Sequence, residues 1–278
     1  MSDRDLDITK FSFFAYRKLK KTLGEFDAVV ECNEIAIREF IQEAQKENPY
    51  KYIQQLSSKH KIKVDEVDFL KFGSRIRQYY VASVSQQSEQ FLKDFRTEWQ
   101  LYFPEKTWIE PGKGETKFQN TLTNISLSLP SDLVDIYEYY RLIRNYMSHT
   151  DRDLEELNNT YSKIQANKNL FLRDLHLSIL PNPVKDINFD DFLILTNIIK
   201  HIAYLMSISS KPDNDRIAEI LFLKSKDDNQ KVFKGIKKLK NNEERFENAL
   251  ENYITTNFGR FSTDDINNVS KKLKSLLA

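Results

Sequence analysis

At 278 residues, with 42 basic against 41 acidic side chains, the chain has no global field to attract a polyanion and leaves only local patches to do so. Six glycines, seven prolines and few alternating β-branched runs favour an all-α protein, and the length allows one large or two small hydrophobic cores. A single cysteine, Cys32, excludes an intramolecular disulfide and a cysteine-rich zinc site.

The four histidines, His60, His149, His176 and His201, show no metal-ligand spacing. The polar start, Met1-Ser2-Asp3-Arg4-Asp5, is unlike a secretory signal. The most apolar run, Phe192 to Met206, is interrupted by Asn197, Lys200 and His201 and falls short of the ~20 residues that span a bilayer. The expectation is a soluble, cytoplasmic protein without a membrane segment.

In chain order, Ile8 to Lys21 reads as a short helix with a basic last turn that ends near Gly24. Phe26 to Ala44 has a helical period and carries Cys32, beside which no activating group can be argued. After the break at Asn48-Pro49, Tyr50 to Leu56 and Val64 to Phe72 read as short helices around a polar turn holding His60. Gly73 then precedes a long helix, Ser74 to about Tyr102, whose aromatic stripe is better explained by core packing than by base stacking.

Phe103 to Thr116 is the clearest loop, with two prolines and two glycines, and it lacks the spacing of a phosphate-binding P-loop. Phe118 to Leu129 reads as a helix, followed by a second one from Ser131, a plausible N-cap, to about His149. Thr150 to Glu156 is polar, and Leu157 to Leu180 is intermediate in character, with His176 among apolar residues. Pro181-Asn182-Pro183 ends that region. Phe189 to Met206 is helical behind Asn188 as N-cap, Ser207 to Asp213 reads as a linker, and Asp215 to Ala278 is helical and basic between Lys224 and Lys240.

Two of these helices carry a polar stripe. On a wheel of about 100° per residue, Arg141, Arg144, Asn145, Ser148 and His149 share one arc of about 140°. Leu133, Ile136, Tyr140, Ile143, Tyr146 and Met147 fill much of the remainder. Two guanidiniums, an amide and an imidazole suit a phosphodiester; the same set would also serve as a buried polar network fixing helix register. On the Phe189 helix, Asn197, Lys200, His201 and Tyr204 form a stripe about 100° wide, readable as a solvated face or as a source of Lys200 and His201 for the same phosphate site.

The run Arg144-Asn145-x-x-x-His149, late in a helix of a helical protein, resembles the signature of the HEPN superfamily (higher eukaryotes and prokaryotes nucleotide-binding). The opening Ile187-Asn188-Phe189-Asp190-Asp191-Phe192 of the later helix resembles that family's closing helix. The expected organisation is therefore an N-terminal helical extension over 1–64, a HEPN-type bundle over 65–210 and a basic C-terminal helical segment over 211–278.

The chemistry expected from these residues is endoribonucleolytic and needs neither metal nor cofactor. His149 would act as general base on a 2′-hydroxyl or as acid toward the leaving 5′-oxygen. Arg144 would grip the scissile phosphate, Asn145 would hold the imidazole one turn on, and Arg141 and Ser148 would add phosphate contacts. Attack by the 2′-hydroxyl would leave a 2′,3′-cyclic phosphate. Two-fold pairing would bring two such stripes into one cleft, and the resemblance implies the same homodimer with a composite site. It further implies an RNA substrate, a role as a toxin or phage-defence effector, and an antitoxin or defence-system partner. Thr150 and Asp151 follow His149 where some toxins of the family carry a modifiable tyrosine, so that regulation is not expected. The alternative expectation is a non-catalytic helical module that binds RNA or protein.

Overall fold

Apolar residues at helical spacing place most of the chain in helices. The computed structural model describes residues 11–148, 154–169, 179–226 and 231–278, and among these it contains eleven α-helices and no strand. They are α1 (Phe14–Gln45), α2 (Pro49–His60), α3 (Phe69–Tyr102), α4 (Lys117–Asn124), α5 (Ser131–Ser148), α6 (Glu155–Ala166), α7 (Phe189–Ser209), α8 (Asn214–Lys226), α9 (Lys231–Lys238), α10 (Glu243–Phe258) and α11 (Thr263–Leu277). The all-α expectation holds.

Two compact units are assembled from separate stretches of chain. One comprises Met1–Lys18, Phe91–Ser128 and Ala203–Ala278; the other comprises Leu19–Gln90 and Leu129–Ile202. Neither coincides with the contiguous division 1–64, 65–210 and 211–278.

In the first unit the core is aromatic. Phe13 meets Phe95 at 4.8 Å and Tyr102 at 5.1 Å between ring centroids, and Phe11 stacks on Phe258. The start of α1 is held there from outside its own sequence: the amides of Phe14 and Ala15 donate to the two carboxylate oxygens of Glu98, each at 2.8 Å. A carboxylate at orphan N–H groups is also favoured by the helix dipole. At the same C-terminal end of α3, Arg216 donates to the carbonyls of Leu101 and Tyr102, occupying acceptors that the last turn leaves open. Within the basic stretch Lys224 to Lys240, α9 is amphipathic: Phe233 and Ile236 are buried while Lys237 and Lys238 are exposed.

The second unit is built on α5 and the first part of α7. Leu133, Ile136, Tyr139, Tyr140 and Ile143 are buried, as are Phe192, Leu195, Ile198, Ile199 and Ile202. Asp191, fully buried in the first turn of α7, ties the two helices together. It accepts hydrogen bonds from the Tyr140 hydroxyl, the Asn182 amide and side chain, and the Asn188 amide, all at 2.9 Å. Tyr139 donates to the Asn182 carbonyl, so consecutive tyrosines of α5 fix the turn that leads into α7.

Several boundaries differ from the sequence reading. Gly24 does not end a helix, because α1 runs through it. Leu19, Leu23, Val30 and Ala44 are buried along one side of it, and at about 1.5–3 kcal/mol for each large apolar side chain that burial outweighs the ~1 kcal/mol cost of a mid-helix glycine. Residues 62–68 are not helical, and α3 begins at Phe69 and passes through Gly73. A Cβ on Gly73 would meet Arg77 Nη1 at 2.9 Å, so the glycine leaves room for that guanidinium to lie on Glu34.

α4 stops at Asn124, where Ser126 takes a positive φ, and does not reach Leu129. The supposed linker begins later than Ser207, because α7 continues to Ser209 and the buried Ser207 accepts from the Phe13 amide at 2.7 Å. At 21 residues α7 is also long and apolar enough to cross a bilayer, contrary to the sequence reading, although much of its apolar surface is buried in the protein. The readings that rest on Ile8, His149 to Asp153, Phe171 to Leu177, Asp227 and Asp228 lie outside the described residues.

Candidate active site

The polar stripe of α5 meets α3 within the second unit. Ser88 of α3 and Tyr137 of α5 share a hydrogen bond of 3.2 Å. Burial pushes the Tyr137 phenol up to about 12, with Glu138 and Glu89 raising it further and Ser88 and Arg141 opposing them, so Tyr137 stays protonated at neutral pH. Beside it the next α3 residue, Glu89, faces Arg144, with 3.3 Å between Oε1 and Nη2.

The two arginines of the stripe are held differently. Arg141 donates through Nε to Glu138 one turn earlier at 2.5 Å, and both side chains are mostly buried. Glu138 keeps its other carboxylate oxygen buried and without a hydrogen-bond partner, so Arg141 is the near charge that offsets a poorly solvated carboxylate. Arg144 is looser. Its Nη1 donates to the Asn145 side-chain oxygen at 3.1 Å, its Nη2 makes a long contact to Glu89, the one ion pair it has among the described residues, and 30% of its side chain is exposed. An ion pair this open contributes at most about 1 kcal/mol, and a phosphate could replace the glutamate on the guanidinium fork.

Asn145 is buried at 8% exposure, and its side-chain oxygen is directed to Arg144. The hydroxyl of Ser148 donates to the Arg144 carbonyl at 2.9 Å, the usual back-bond of a helical serine. A phosphate contact from Ser148 would require its hydroxyl to turn away from that carbonyl. Tyr146 and Ser148 are exposed and Met147 is partly so, which opens the last turn of α5 to water on more sides than the apolar count implied. His149 follows the last described residue of α5 and lies outside the described residues.

Among the described residues, neither Lys200 nor His201 makes a hydrogen bond or ion pair with this stripe. Asp191 faces α5 through Tyr140, and Lys200, nine residues later, projects about 180° away around α7. It pairs with Asp27 of α1 at 2.8 Å, and both side chains are largely buried. His201 is exposed, and neighbouring atoms lower its pKa by desolvation.

The sequence reading missed Glu89 and Glu138. Glu138 was accessible to it, since three residues before Arg141 on a helix is an adjacent position. Glu89 lies in a distant stretch, and nothing local marks it as a partner. Among the described residues no group of three histidine, cysteine or acidic side chains converges to hold a metal ion. The chain matches no family model, and comparison with curated proteins and with solved structures returned no similar chain.

Proposed function

We propose that this protein is a metal-independent endoribonuclease of HEPN type, cutting RNA by 2′-hydroxyl attack to leave a 2′,3′-cyclic phosphate. The observation that carries the reading is Arg144: a partly exposed guanidinium that, among the described residues, is held by Asn145 and by a weak pair with Glu89. It stands five residues before the histidine that would move the proton. In this reading Arg144 binds the scissile phosphate and offsets the charge that builds on its oxygens, and His149 serves as base or acid. Arg141, committed to Glu138, keeps the local charge from becoming net negative and is a supporting group.

The reading includes a homodimer that joins two stripes, a cytoplasmic RNA substrate, and service as a toxin or phage-defence effector with a cognate partner. Incubating the purified protein with total RNA in the presence of a chelator tests it. Wild type should cut, and Arg144→Ala and His149→Ala should not, with their helical circular dichroism unchanged. Cutting that chelation abolishes, or that survives both substitutions, would exclude the mechanism.

A second reading has one observation in its favour. Each arginine of the stripe already has a glutamate partner, as in a binding or scaffold module whose polar network fixes helix register. Absence of cleavage together with salt-sensitive retention of RNA would favour that module.

A further inference from the structure

The loop between α3 and α4 belongs wholly to the first unit and encloses a cavity of about 280 Å³. Fourteen residues without secondary structure, Phe103 to Thr116, form an unusually long connection, and connections of that length in compact domains commonly carry a function. This one is stitched in place. Ile109 donates its amide to Asn124 at 2.7 Å and accepts at its carbonyl from Asn120 and Asn124 at 3.1 and 3.0 Å. Glu115 accepts the Gly112 amide at 2.9 Å, and a Thr116–Gln119 capping box sets the start of α4. The cavity is thus preformed.

Its lining combines an apolar wall, including Leu92 and Trp108, with Lys93, Arg96 and Lys117 against a single carboxylate, Glu110. Arg96 lies over the Trp108 indole at 5.3 Å, which fixes the plane of its guanidinium. Both terminal nitrogens of that fork engage Glu110, one at 3.0 Å. Glu110 is an exposed loop side chain, so water screens this pair and another anion can compete for the fork. The indole N–H of Trp108 is buried and has no acceptor, an unsatisfied donor of a kind that native structures seldom keep.

We propose that this cavity binds a small planar anion, its ring along the apolar part of the wall and its phosphate or carboxylate on Arg96 in the place that Glu110 occupies. Mostly apolar walls with one placed bidentate cation are the usual composition of a small-ligand site, and the bidentate fork fits either anion. The proposal is independent of the ribonuclease reading, since it uses no residue of α5.

Isothermal titration of the full-length protein with adenosine monophosphate, benzoate and adenosine tests it. At least one of the two anions should bind saturably at up to millimolar concentration, and more tightly than adenosine. Binding by the nucleotide alone identifies phosphate as the anion, and binding by benzoate alone identifies carboxylate. Adenosine binding as tightly as the better anion, or no saturable heat from either anion, would overturn the proposal.

Two variants separate a ligand role from a structural one. Arg96→Gln should weaken binding by about tenfold or more, whereas Glu110→Gln should tighten it by removing the competing carboxylate. If the pair only braces the loop, both substitutions would act in the same direction or neither would matter, and either result contradicts the assignment.

Discussion

Glu89 of α3 reaches Arg144 of α5 at 3.3 Å, with about a third of each side chain open to water. The site therefore carries its own competitor for any phosphate. Glu89→Gln should remove that competitor and tighten binding of a non-cleavable, 2′-deoxy oligonucleotide severalfold, measured by fluorescence anisotropy. Global stability should change by less than about 1 kcal/mol, because the pair is solvent-screened. Unchanged or weaker binding would mean that Glu89 positions Arg144 and does not compete for it.

Asp191 predicts a different response. Four donors converge on its two oxygens from the motif helix, the turn before α7 and the α7 start. Asp191→Asn would set an NH₂ against two of those donors, and urea unfolding should show a loss of about 2 kcal/mol. Cleavage should fall with it, because the same knot sets the register of α5.

Glu34 supplies a pH dependence. Burial works to raise its pKa, but hydrogen bonds from Arg77 and Arg38, reinforced by their charges, overcome that and hold the carboxyl below its usual range. A lowered folded pKa means the stabilisation is complete above the unfolded value of about 4.3 and is lost as pH falls through the folded one. The urea midpoint should drop on acidification below about pH 4 more steeply in wild type than in Glu34→Gln. At pH 7 the variant should be less stable by about 2 kcal/mol, since the partly buried Arg77 is left without its counter-ion.

Oligomeric state bears on the pairing of two stripes. Light scattering should give a mass of about twice the 32.9 kDa chain, and a single-chain mass at concentrations where RNA is cut would rule out a composite site.

The helical class and the α5 boundaries were legible because sparse glycine and a 3.6-residue apolar period are local signals. Gly24 and Gly73 misled for the opposite reason: whether a glycine ends a helix depends on burial and on close neighbours such as Arg77, which are tertiary. At the site, the chain showed which groups share an arc and not what faces them. Glu89, Ser88 and Asp191 reach α5 from elsewhere in sequence, and Lys200 turned out to serve Asp27. Spacing alone could place Glu138 beside Arg141, and no spacing could have found the remaining partners.

The most direct test of the central claim is the chemistry of the cut ends. RNA digested by the wild-type protein in chelator should carry 2′,3′-cyclic phosphate and 5′-hydroxyl termini, and Arg144→Ala should produce neither while keeping its fold. Termini bearing 5′-phosphate and 3′-hydroxyl, or cyclic phosphates made equally well without Arg144, would contradict the account.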